Sequence, residues 1–129
     1  IETLNQSFFP LMKVSVAEAF NRGDDYSILP VGAALGFGCG PLVIGRYPLK
    51  KVAIPGKKTV AHLLFDLLIE GEYEKIFTTY DKIIPLIESG EVDGGVIIHE
   101  SRFIYKQPLL YDLGSVWEQK YQMPLALGC

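Results

Sequence analysis

Of the two histidines in the chain, His99 stands where an imidazole could work, directly after the apolar run Gly95-Val96-Ile97-Ile98. That run has the unbroken, β-branched character of a short strand covered on both faces. In open α/β sheets, ligands bind just beyond the carboxyl ends of the strands. A histidine placed there can take up and release a proton near neutral pH, as a general base must. The same position also suits a purely structural, hydrogen-bonded histidine, so it leaves both roles open. Glu100 adds a carboxylate beside it, but neighbours on a strand point to opposite faces, which argues against Glu100 orienting His99.

Three other groupings could hold a ligand. Ser15 with Glu18 three residues later fits a capping box, followed by Val16, Ala17, Ala19 and Phe20. Ser15 then has a sufficient task as a helix cap, while its hydroxyl and the free N–H groups nearby could equally meet an anion. Thr59 follows Pro55-Gly56-Lys57-Lys58 and precedes an apolar helical stripe, Val60, Leu63, Leu64, Leu67 and Leu68. A strand–turn–helix junction with a threonine cap and two lysines suits a carboxylate or phosphate, though it is also an ordinary βα turn. Finally, Gly32-Ala33-Ala34-Leu35-Gly36-Phe37-Gly38-Cys39-Gly40 permits a sharp bend or close approach of backbone to a ligand. It lacks the third glycine of a dinucleotide fingerprint and the lysine of a P-loop. Cys39 and Cys129 form neither a disulfide framework nor a metal set, and two free thiols suit a reducing cytoplasm.

The elements that must position these groups read in order along the chain. Residues 1–9 have the look of a helix already under way, and Leu11 to Ser15 of a short strand leading into a helix. Tyr26 to Val31, Pro41 to Arg46, Lys51 to Ile54 and Lys75 to Tyr80 read as strands. Asp81 is placed to cap a helix over Lys82 to Ser89, with Pro85 early in it and Gly90 as its left-handed stop. Leu109 to Gly114 reads as a strand, Ser115-x-x-Glu118 as a second capping box, and Met123 to Cys129 as extended chain. From Pro41 onward strand and helix alternate, which predicts an α/β unit with a mostly parallel sheet flanked by helices.

Bulk properties agree with a globular domain. The chain has 129 residues, 49% hydrophobic and 21% charged, with net charge −3 and a pI near 5.3. Neither nucleic acid nor an anionic membrane suits that charge. No apolar stretch approaches the ~20 residues of a membrane span.

Taken together, the motifs resemble the 1,4-dihydroxy-6-naphthoate synthases of the futalosine route to menaquinone. Gly94-Gly95-Val96-Ile97-Ile98-His99-Glu100-Ser101-Arg102-Phe103-Ile104-Tyr105 is similar to that family's D-[AG]-G-[VL]-I-I-H-E-[SG]-R-F-x-Y segment. Thr3-Leu4-Asn5, Lys13-Val14-Ser15, Gly32 to Pro41, Val52 to Thr59, Asp112-Leu113-Gly114 with Trp117-Glu118, and Pro124 to Gly128 match further family motifs in the same order.

The resemblance implies a two-lobed, periplasmic-binding-protein-like (type II) fold used as an enzyme, with substrate between the lobes. Residues 1–40 would be a remnant of the first lobe and the approach to the hinge, and residues 41–129 the second α/β lobe. The reaction implied is lyase-type conversion of cyclic dehypoxanthinyl futalosine to 1,4-dihydroxy-6-naphthoate, with loss of a three-carbon fragment as dihydroxyacetone. His99 would be the general base. Lys13, Val14, Ser15, Thr59 and Val60 would line the pocket for a small carboxylate substrate. No metal or organic cofactor is implied.

The chain departs from the pattern where Val60 replaces a second threonine and Cys129 a glycine. The family's P-C-P-N-D-type segment and C-terminal helices have no counterpart in it, so one wall of the cleft would be incomplete. A homo-oligomer that covers the exposed surface is the corresponding expectation. A non-catalytic solute-binding lobe and the sister family chorismate dehydratase are the rival readings. The His-Glu pair speaks against the latter.

Overall fold

Three strands of this chain are apolar and buried apart from Lys51 at the start of one of them, and that decides the architecture. In a computed structural model describing residues 11–98 and 104–129, Leu42–Gly45 (β2), Lys51–Ile54 (β3) and Gly94–Ile97 (β5) sit at the centre of a five-stranded sheet. The sheet has helices on both faces, so successive residues on each strand are buried in turn. Val43, Val52, Ile54 and Val96 pack under Val60–Leu68 (α2) together with Leu113 and Leu125. Leu42, Ile44, Ala53 and Ile97 pack under Ile83 and Ile87 of Tyr80–Ser89 (α3). The alternation follows the pleat. Small residues lie beneath α3, where a Cβ on Gly95 would overlap Ile83 Cγ2.

The remaining elements are Val16–Asn21 (α1), Ala34–Gly36 (β1), Glu74–Phe77 (β4), Leu109–Asp112 (β6), Leu113–Tyr121 (α4) and Leu125–Gly128 (β7). Strand order in the large sheet is β4-β3-β5-β2-β6. β1 and β7 form a separate antiparallel pair, and β7 also meets Val14 and Ser15.

The sheet is mixed, not mostly parallel as the strand–helix alternation predicts. β3 runs parallel to β4 and β5, while β2 runs antiparallel to β5 and β6. The cause is the connection between β2 and β3, residues 46–50. A parallel return needs about a dozen residues or more, so so short a link must reverse the chain. It passes over the start of β5, where Asp93 anchors it. Arg46 N–H donates to Asp93 O at 2.9 Å, and Asp93 Oδ2 accepts from Lys50 N–H at 3.1 Å and Lys51 N–H at 2.9 Å. These bonds, Lys51 N–H first, hold the Asp93 carboxyl below its ordinary pKa. Gly45, at φ +145°, lies against Gly94 at the same point, and any Cβ there would strike the Asp93 carbonyl.

Other local expectations are corrected or met in detail. Tyr26 to Val31 is not a strand, and Ile28, Leu29 and Val31 are exposed. The buried face of α2 is Val60, Ala61, Leu64 and Phe65, whereas Leu63 and Leu67 are 49% and 48% exposed. Asp112, not Ser115, caps α4 by accepting from Ser115 N–H at 3.1 Å. α3 begins at Tyr80, one residue before Asp81, so Pro85 falls inside the helix. Gly90 ends it in the left-handed conformation at φ +78°, with N–H to Ile87 O at 3.1 Å.

Candidate functional site

Because β4, β3 and β5 are parallel neighbours, their carboxyl ends at Phe77, Ile54 and Ile97 share one edge of the sheet. The chain leaves β3 there through a turn in which Gly56, at φ +85°, donates its N–H to Ile54 O at 2.8 Å. Thr59 ends that turn as the N-cap of α2. Its Oγ1 donates to Gly56 O at 3.0 Å and accepts from His62 N–H at 3.1 Å, and its carbonyl accepts from Leu63 N–H at 3.1 Å. The N–H groups of Val60 and Ala61, which precede any intrahelical acceptor, are the donors that neither Thr59 oxygen takes. The side chain of Val60 itself is buried in the core. Any contact it makes with a ligand is therefore through its backbone. β5 leads toward the same edge, and His99 lies outside the described residues.

The second grouping approaches from α1. Val14 is held in strand-like pairing with Cys129, N–H to carbonyl at 2.9 Å and the reverse at 3.0 Å, and Ser15 bridges Gly128. Lys13 is exposed. Ser15 is the N-cap of α1 with extended backbone, as the sequence predicts, but its side chain makes no capping bond, and its Oγ is buried with no partner. The capping-box reading is corrected at its other end as well. Glu18 turns away from the helix start, and its Oε1 receives Arg22 Nε at 2.7 Å and Lys58 Nζ at 2.9 Å. Glu18 is 1% exposed and its Oε2 has no partner. Burial pushes its carboxyl up, yet the bonds from Arg22 and Lys58 together outweigh that and hold it below the ordinary value. Lys58 belongs to the α2 turn and Glu18 to α1, so this ion pair joins the two sequence-predicted groupings. Val16 and Ala17 pack on the cluster that holds Val60, Ala61 and Leu64, which joins them a second time.

The neighbouring charges are already engaged. His62, which the sequence does not single out, has Nδ1 at 2.8 Å from Lys57 O and Nε2 at 3.2 Å from Asp66 Oδ2. Its ring meets Phe77 edge-on at 5.0 Å, and Lys57 Nζ lies 5.2 Å from the centre of the Phe77 ring. Asp66 also takes Lys75 at 2.5 Å. His62 is thus a structural histidine whose two nitrogens are both used.

The glycine-rich segment serves packing. Gly38 N–H donates to Glu118 Oε1 at 2.6 Å, and a Cβ on Gly40 would come within 2.6 Å of Gly114 Cα. The close approach that glycine permits is to the start of α4. A small open pocket of about 220 Å³ lies beside it, lined by Phe37, Glu118, Gln122, Met123 and Pro124. Among the described residues no group of three or more His, Cys, Asp or Glu could hold a metal ion, and no helix is long and apolar enough to cross a membrane.

The mixed α/β sheet flanked by helices is periplasmic-binding-protein-like, as comparison with a solved structure shows. The ligand binding component of an ABC-type import system from Staphylococcus aureus has this fold in common with the chain. That likeness has a TM-score of 0.62 at 12% identity over 90% of this chain and 46% of the other. A crystal structure of an Archaeoglobus fulgidus protein is nearer, with a TM-score of 0.82 at 33% identity over 90% of this chain and 46% of that one. The family model described as menaquinone biosynthesis matches residues 1–129, and the chain belongs to that family. Curated relatives include proteins named 1,4-dihydroxy-6-naphtoate synthase from Thermus thermophilus and Streptomyces coelicolor. The Thermus protein is 42% identical over 99% of this chain and 51% of its own length. The Streptomyces protein is 37% identical over 92% of this chain and 46% of its own length. The chain thus spans about half the length of the curated relatives it matches.

Proposed function

We propose that this chain supplies one lobe of a 1,4-dihydroxy-6-naphthoate synthase of the futalosine route, acting in the cytoplasm as a lyase on cyclic dehypoxanthinyl futalosine. The observation that carries the reading is the shared edge. Thr59 and the N-terminus of α2 stand at the carboxyl end of β3, β5 runs toward residue 99 beside it, and the Glu18–Lys58 pair ties in the segment Lys13-Val14-Ser15. In this reading the substrate carboxylate is received by the N–H groups of Val60 and Ala61 at the turn that Thr59 caps, where the helix dipole favours negative charge, and Ser15, whose Oγ is buried in this structure, backs the same wall. Lys13 and Val14 complete that wall. His99 takes the proton whose removal starts the fragmentation that ends in naphthoate and dihydroxyacetone. No metal or organic cofactor enters this scheme.

Residues 1–40 then belong to the first lobe and the hinge approach, and residues 41–129 to the second lobe. The exposed side chains of Ile28, Leu29, Val31, Leu35 and Phe37 mark the surface that a first-lobe wall or a second copy of the chain would cover. A solute-binding lobe without chemistry is the second reading, favoured by the fold shared with the import component.

The test is turnover of cyclic dehypoxanthinyl futalosine by the chain, and by a protein extended to its relatives' full length, with His99→Ala beside each. Naphthoate is followed by absorbance and mass. Product from the wild type and none from His99→Ala is the expected result. Ligand binding that survives His99→Ala, with no product from either protein, would replace the synthase by the binding lobe.

A further inference from the structure

We infer that Glu18 is a positioning residue: by holding Lys58 it sets the place of the α2 N-terminal turn against the segment 13–15. The inference rests on the site proposed above. Glu18 is 1% exposed, and one of its oxygens takes two cations, Arg22 from its own helix and Lys58 from the turn that carries Thr59. Its other oxygen is buried without a partner. A buried carboxylate left half satisfied is a poor way to stabilise a fold, because desolvation consumes most of what the ion pairs return. What such a group does supply is registry, since only one arrangement of the two elements lets the charges meet. The Arg22 bond lies within one helical turn and registers nothing. The Lys58 bond spans two elements, and those elements bear Ser15 and Thr59. Lys58 stands one residue before Thr59, so its tether acts on the cap that orients the His62 and Leu63 N–H groups. The sequence conceals this role, because Ser15-x-x-Glu18 reads as a capping box.

Two readouts test it, one of which needs no substrate. Amide hydrogen exchange is measured on wild type, Glu18→Gln, Lys58→Met, the double variant and Lys58→Arg. The amides of His62 and Leu63 should exchange roughly tenfold faster in Glu18→Gln and in Lys58→Met, a local opening of that turn. The double variant should add little to either change, as expected for residues acting as one unit. Lys58→Arg should stay close to wild type, and the β3 and β5 amides should not change. Unchanged His62 and Leu63 exchange would overturn the inference. A uniform rise across the sheet would do so too, by making Glu18 a general stabiliser. With substrate, Glu18→Gln should raise KM roughly tenfold and leave kcat within about a factor of two, since the tether acts on binding geometry and not on His99. A fall in kcat at constant KM would also count against it. Absence of turnover in the protein extended to its relatives' full length would remove the synthase reading while leaving the exchange result to decide the tether.

Discussion

Replacing Asp93 should loosen the point where the two directions of the sheet meet. Asp93 Oδ2 accepts the N–H groups of Lys50 and Lys51, and its own backbone bonds Arg46 and Lys51. Asp93→Ala leaves the backbone bonds and removes both carboxylate bonds. A hydrogen bond to a charged group contributes about 1.5–3 kcal/mol. Lys50 is exposed, so its N–H can turn to water at little cost, whereas Lys51 is half-buried and its N–H is left poorly satisfied. The expected loss is therefore about 2–3 kcal/mol, near one full charge-assisted bond plus a remnant of the second. Asp93→Asn, which keeps an acceptor but no charge, should lose about half of that.

The pH dependence follows from the lowered carboxyl. A depressed folded-state pKa contributes stability that is fully present above the unfolded value, near 3.9, and is lost as pH falls through the folded value. Urea unfolding at pH 7 and again at acid pH reads both quantities. The gap between wild type and Asp93→Asn should narrow steadily as pH falls below about 4. A gap that is constant with pH, or a loss under about 0.5 kcal/mol for Asp93→Ala at pH 7, would refute the role given to this carboxylate.

Other outcomes follow from the same geometry. Asp112→Ala should cost about 1 kcal/mol in thermal or urea unfolding and Ser115→Ala only a few tenths, the reverse of what a Ser115 capping box requires. Gly95→Ala, whose methyl would strike Ile83 Cγ2, should cost about 1–3 kcal/mol, and Ile83→Ala about 2–5. The double variant should cost less than the sum of the two by about 1 kcal/mol or more, because the new methyl enters the space that Ile83 vacates. Strict additivity in urea unfolding would show that the two do not meet.

Local chemistry was legible in the sequence wherever a residue's neighbours along the chain decide its surroundings. Gly90 as a left-handed helix stop, Thr59 as the cap of α2, and a strand buried on both faces, expected over Gly95 to Ile98 and found one residue earlier as Gly94–Ile97, depend only on backbone freedom, a side-chain oxygen at the right spacing, and an unbroken apolar run. The ordered motifs likewise carried the family, whose model spans the chain. His99 lies outside the described residues.

What only the tertiary structure decided concerns partners distant in sequence. Nothing between Ser15 and Glu18 reveals that Glu18 bonds Lys58, because its partner is forty positions away. The glycines of residues 36–40 look like a ligand loop until Gly114 and Glu118 arrive beside them. Leu63 and Leu67 complete a helical stripe on paper, yet the core takes Ala61 and Phe65 in their place, because packing selects the side of α2 that faces the sheet. Strand direction belongs to both levels. The short link 46–50 already required β2 and β3 to reverse, but the insertion of β5 between them, with Asp93 as anchor, needed the whole sheet to assemble. Periodicity and capping act over a few residues, whereas burial and ion pairing are settled only when distant segments share the same volume.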